Sequence, residues 1–205
     1  MKRYGTFQPT TSSSTLCRST PTICHASSGG VDRARAGALT PEMIERFLTL
    51  GRYARAAGAY AILFTCSAFG PAIEAVARDL APLPVHKPNT AMIETAVAAG
   101  GRIGLLATFA PTLDSMAREF PAGTAVVTAY AEGALAALQA GDGVGHDRMA
   151  AGAAVAVLQE CSVIALAQSS LARAADAVSA ATGKAILTTP DCAVVALRKA
   201  VEQNT

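Results

Sequence analysis

Apolar positions along the chain fall into two patterns. Short runs such as Ile62-Leu63-Phe64, passing into Thr65-Cys66-Ser67, and Ile164-Ala165-Leu166-Ala167, passing into Gln168-Ser169, read as buried strands that open into loops. Between such runs the apolar residues recur at helical spacing. Residues 40–58 predict a helix in detail: Thr40 is the N-cap, Pro41 sits in the first turn, Glu42 supplies an acid there, and Ile44, Phe47, Leu48 and Leu50 form the apolar stripe. Strands alternating with helices predict parallel sheets with right-handed helical crossovers. The uncharged stretch from Ala56 to Ile73 approaches membrane-spanning length, but it contains Gly58, Thr65, Ser67, Gly70 and Pro71. It reads as helix end, buried strand and loop.

Sliding the sequence along itself by 102 positions, the separation of Gln168 from Cys66, brings two halves into register. Ile62 to Ser67 then lies over Ile164 to Ser169, and Ala72, Ala75 and Val76 lie over Ala174, Ala177 and Val178. Pro88 lies over Pro190, and Thr6-Phe7-Gln8-Pro9-Thr10 over Thr108-Phe109-Ala110-Pro111-Thr112. The expected division is a first lobe over residues 1–97 and a second over 98–205, with the last helix packing back on the first lobe. Residues 1–31 carry Lys2, Arg3 and Arg18, no acid and one alanine, Ala26, much as an organellar transit peptide does. Their register with Thr108 to Thr112 assigns them to the fold as a divergent first strand and loop.

The fold class expected is α/β, two pseudo-symmetric lobes, each an open and mostly parallel sheet flanked by helices, with the site in the cleft between them. Ligands of such sheets bind beyond the carboxyl ends of the strands. Those ends are Thr6 to Thr10, Cys66 to Ala68, Thr108 to Thr112 and Gln168 to Ser170, with Pro88-Asn89-Thr90 and Pro190-Asp191-Cys192 after the next strands.

Composition narrows the function. The chain has 205 residues, 51% hydrophobic and 16% charged, which excludes a disordered or disulfide-dense class. Seventeen Lys+Arg against fifteen Asp+Glu leave a net charge of +2 without a basic block, and aromatics are 5%, so neither nucleic acid nor a membrane is an expected partner. Cys17, Cys24, Cys66, Cys161 and Cys192 form no CxxC pair and no metal spacing with His25, His86 and His146. Free thiols in a reducing cytoplasm fit this usage.

Ala61 to Gly70, Leu106-Ala107-Thr108 followed by Thr112, and Ile164 to Ser170 resemble the aspartate/glutamate/hydantoin racemase superfamily, which also includes arylmalonate decarboxylase and maleate isomerase. The resemblance covers about residues 39–200. It implies an enzyme without cofactor or metal, acting at the α-carbon of a small carboxylate such as an amino acid, hydantoin or malonate. Members place one cysteine after a strand in each lobe, and the two thiols exchange a proton on opposite faces. Cys66 matches the first cysteine, and Gln168 occupies the second position.

A carbon acid beside a carboxylate demands a thiolate, a thiol on the other face, and donors for the enediolate. A glutamine amide does not exchange protons near neutral pH. Two-thiol racemisation is therefore in question, and single-thiol decarboxylation or isomerisation, or mere binding of a small anion, are the alternatives. The resemblance makes Thr108 and Thr112 carboxylate-binding hydroxyls, with turn and cap chemistry the rival for Thr112. Ser67, Ala68, Ser169 and Ser170 are expected anion-loop positions, with helix capping the rival for the serines. Thr6 and Thr10 rest on the repeat alone. Cys161 is expected to pack, Cys192 is a weak candidate for the second thiol, and a homodimer or higher homo-oligomer is left open.

Overall fold

The computed structural model describes residues 22–24, 39–65 and 69–203. Strand β1 is Thr22–Cys24, helix α1 Pro41–Ala56, β2 Ile62–Phe64, α2 Gly70–Asp79, β3 Val85–His86 and α3 Thr90–Ala99. The second half runs β4 Ile103–Ala107, α4 Ala110–Ala117, β5 Val126–Tyr130, α5 Ala134–Gln139, α6 Gly143–Val157 and β6 Val163–Leu166. A 3-10 helix over Ser169–Ala174 leads into α7 Ala175–Thr182, then β7 Ala185–Thr188 and α8 Thr189–Gln203.

Among the described residues two separate sheets form, ordered β1-β2-β3 and β5-β4-β6-β7, and every strand pair is parallel. This is the α/β architecture expected, parallel sheets flanked by helices. Ile62–Phe64 and Val163–Leu166 are buried on both faces, which is why they read as continuous apolar runs rather than alternating ones. Among the described residues no helix is long and apolar enough to cross a membrane.

Helix α1 begins as its sequence dictates, with Thr40 Oγ1 accepting the Met43 N–H at 3.3 Å. Its buried face is Met43, Phe47, Gly51 and Ala54, while Ile44 and Leu48 pack at the margin. Leu50, expected in the stripe, is 39% exposed. The contact with α2 displaces the stripe: a Cβ on Gly51 would stand 2.5 Å from Val76 Cγ1, so the helices meet where glycine allows close approach. Phe47 stacks on Phe64 of β2 with ring centroids 5.1 Å apart and touches Phe69 at 4.8 Å.

Packing crosses the boundary expected at residue 97. Met92, Ile93 and Ala96 of α3 are buried against Ile103, Leu105, Val163 and Ala165 of the second sheet. Reciprocally, Ala193 and Leu197 of α8 bury Ala61 and Leu63 of the first. Each half lends its last helix to the other sheet. Beside β2, the place that β4 takes beside β6 is filled by Thr22–Cys24, with Thr22 pairing Ile62 as Gly104 pairs Ile164. The repeat had put residues 1–5 there; they lie outside the described residues.

Candidate active site

The carboxyl ends of β4 and β6 are adjacent because the strands pair in register from Ile103↔Val163 to Leu106↔Leu166. Two residues beyond that last pair, Thr108 and Gln168 meet. The Thr108 backbone N–H donates to Gln168 Oε1 at 2.7 Å, and Thr108 Oγ1 donates to the same oxygen at 3.0 Å. Thr108 is 1% exposed, Gln168 is half-buried, and Gln168 keeps an extended backbone at φ −136° and ψ 141°. Both donors of Thr108 are thus spent on Gln168, so its hydroxyl is left able only to accept from a ligand.

Ser169 links this end to the first lobe. Its Oγ donates to the Thr65 carbonyl at 3.4 Å and lies 3.3 Å from Thr189 Oγ1. Thr65 ends the described part of the β2 segment, and the next residue in the chain is Cys66. Thr65 Oγ1 is buried and has no partner among the described residues. Cys66, Ser67, Ala68, Thr6 and Thr10 lie outside the described residues. Ser169 does not act as a side-chain cap on the 3-10 helix, and Ser170 is exposed on it. Thr112 lies in the first turn of α4, where its backbone N–H donates to the Phe109 carbonyl at 3.0 Å.

Cys161 and Cys192 sit away from these strand ends, while Cys24 ends β1 opposite Phe64. Cys161 is buried in the second-lobe core, and burial pushes its thiol up. Cys192 is in the first turn of α8, not in a loop, beside a cleft of about 350 Å³ lined also by Thr95, Thr188 and Lys199. Burial raises its pKa, opposed by a hydrogen bond with Thr95. A raised thiol pKa disfavours proton abstraction.

Sequence reasoning missed the groups that hold the second strand end. Asp147 of α6 takes Arg173 of the 3-10 helix through Nε at 2.9 Å and Nη2 at 3.1 Å. Burial raises the Asp147 carboxyl, but hydrogen bonds from Arg173 and His146 outweigh this and leave it below its ordinary value. His146 is fully buried, with Nδ1 2.7 Å from Asp147 Oδ1 and Nε2 without a partner among the described residues. Thr188 Oγ1 donates to Asp191 Oδ2 at 2.6 Å and accepts from the Asp191 N–H, closing the turn from β7 into α8. An Asp and an Arg on separate helices leave no local spacing signal that would have revealed the pair.

The sequence matches the profile of the Asp/Glu/Hydantoin racemase family over residues 6–197. The chain belongs to that family. Its fold is similar to glutamate racemase from Thermus thermophilus in complex with beta-chloro-D-alanine, at a TM-score of 0.63 and 19% identity over 90% of this chain and 71% of that one. It is equally similar to allantoin racemase from Klebsiella pneumoniae, at 0.63 and 20% identity over 77% and 65% of the two chains. A mutant of arylmalonate decarboxylase in a sulfate-associated form matches at 0.58 and 17% identity over 80% and 77%. No curated protein matches the sequence. The family profile thus joins a chain of racemase fold to a strand end that carries glutamine.

Proposed function

We propose that this family member is a cofactor-independent enzyme acting at the α-carbon of a small carboxylate, with Cys66 as its proton-transferring thiol. The observation carrying this reading is the Ser169 Oγ contact with the Thr65 carbonyl. It joins the strand end leading to Cys66 with the strand end bearing Gln168, one from each lobe. Gln168 in the second position favours proton delivery to a single face, since its amide cannot replace a thiol as acid or base.

In a malonate-like diacid, loss of carbon dioxide leaves its electron pair on an enediolate. The Cys66 S–H then protonates the α-carbon, and water returns a proton to the thiolate. In an isomerisation the thiolate removes the proton or attacks an electrophilic carbon first. Malonate-type decarboxylation or isomerisation is therefore the form preferred over racemisation. The free thiols Cys161 and Cys192 support a reducing, cytoplasmic setting.

Incubation with amino acids, hydantoins and substituted malonates in deuterium oxide, read by chiral chromatography and mass, tests the reading. One deuterium in a single product enantiomer is expected. Equal deuterium in both enantiomers would establish racemisation instead. No turnover together with saturable anion binding would reduce the protein to a binding module.

A further inference from the structure

Gln168 carries a feature that its replacement of a cysteine does not require. A backbone N–H is only a donor, so the end of the Gln168 amide lying 2.7 Å from Thr108 N must be the oxygen. That fixes the two ends of a group whose oxygen and nitrogen otherwise look alike. The Thr108 hydroxyl adds the second bond to the same oxygen, filling both lone pairs. Nε2 therefore keeps both N–H groups without a partner among the described residues, on a half-buried side chain at the carboxyl end of β6.

Among the described residues at these strand ends, the Thr108 and Ser169 donors are engaged, and the Thr65 hydroxyl is the one left without a partner. Both Thr108 donors go to Gln168, and the Ser169 hydroxyl proton goes to the Thr65 carbonyl. What Gln168 offers a ligand is a pair of N–H donors and no acceptor. Such a pair matches two acceptor oxygens and rejects a group that must itself donate.

We propose that Gln168 is the residue that binds the substrate carboxylate, with Thr108 as the positioning residue that turns the amide so that nitrogen faces the ligand. The proposal rests on the reading of Cys66 as the site thiol. The glutamine then replaces a proton donor by an anion receptor, and the thiol of the first lobe works on the carbon beside the carboxylate that the second lobe holds.

Paired alkylating agents test this without knowledge of the substrate. Iodoacetate carries a carboxylate and iodoacetamide does not, while both lose iodide to a thiolate. Their rates at each cysteine are read by peptide mass spectrometry, with Cys192 and a free cysteine peptide as references. The iodoacetate-to-iodoacetamide ratio at Cys66 is expected to exceed that of the peptide by about tenfold, the worth of one hydrogen bond to a charge.

Gln168→Glu keeps an acceptor for both Thr108 bonds while replacing the N–H pair by a negative oxygen. It should retain the melting temperature and lower the ratio at Cys66 by about tenfold or more. Thr108→Val removes one of the two bonds that orient the amide and should lower the ratio about threefold, which decides the matter should Gln168→Glu not fold. A ratio unchanged in the folded variants overturns the assignment of Gln168 while leaving Cys66 as the site thiol. Failure of both reagents at Cys66, with Cys192 modified, overturns the reading of Cys66 and the proposal with it.

Discussion

Behind its central strand the first lobe packs aromatic rings, whereas the second packs alanines. Phe47, Phe64 and Phe69 meet between α1 and β2, while Ala150, Ala154 and Ala174 lie among Leu158, Leu166 and Leu171 between α6 and β6. The helices α1 and α6 are equivalent in the repeat, so the same architecture is filled in two ways. Both lobes also tie the equivalent helices by one Arg–Asp pair, with the signs reversed. Arg52 of α1 holds Asp79 of α2 through two bonds of 2.9 Å, and Asp147 of α6 holds Arg173. A pseudo-repeat thus conserves the geometry of a layer without conserving the side chains that make it, because packing asks for volume and a tie asks for opposite charges in reach.

At the strand ends the lobes differ in chemistry rather than filling. The second offers a clamped amide, and the first leads to a thiol. The sharpest way to break this contrast is Cys66→Ser, which leaves an alcohol far too weakly acidic for the thiol's work. Turnover should fall by about a thousandfold or more, roughly 4 kcal/mol in the barrier. Activity retained above about a tenth of wild type would remove Cys66 from the mechanism.

Next in size are the two cores. Phe47→Ala should cost about 3–5 kcal/mol in urea unfolding, because the ring leaves a cavity against Phe64 and Phe69. Ala154→Leu should cost less, about 1–3 kcal/mol, by forcing α6 away from the second sheet. A reversed order would show that the alanine face, not the aromatic one, is the tighter of the two.

Gln168→Cys would erase the difference at the strand ends. At saturating concentrations of an accepted α-chiral acid, α-proton exchange should rise by about tenfold or less over wild type, measured by deuterium incorporation into both enantiomers, while KM rises because the amide that holds the carboxylate is gone. Smallest is Asp147→Asn. The Asp147 carboxyl is held below its ordinary value, so its contribution is present above the unfolded value of about 3.9 and disappears as pH falls through the folded one. The variant should therefore melt slightly lower than wild type near neutral pH and converge with it in acid, as followed by circular dichroism. A gap that persists in acid would assign the loss to packing instead of charge.

The strands β2 and β6 and the N-cap of α1 were legible because each depends on residues close along the chain. Burial on both faces writes a continuous apolar run, and a cap needs only a hydroxyl three residues before an orphan N–H. Leu50 was misjudged for the same reason in reverse. Periodicity selects a face of a helix, but the neighbour at Gly51 selects how that face is turned. Family membership was legible in the residues around Cys66, Thr108 and Gln168, since those motifs are local.

What the amino-acid sequence determined on its own is the alternation of strands and helices, the near-repeat of two halves, and the presence of an amide where a second thiol was expected. Tertiary structure alone decided that α3 packs on the second sheet and that Thr22–Cys24 takes the place beside β2, whereas the packing of the last helix on the first lobe was an expectation of the sequence. It also decided that Thr108 gives both its donors to Gln168, sixty residues away. The physical reason is reach. Propensity and periodicity act over a few residues, whereas the partner of a hydroxyl or amide is settled by which strand ends the sheet register sets side by side.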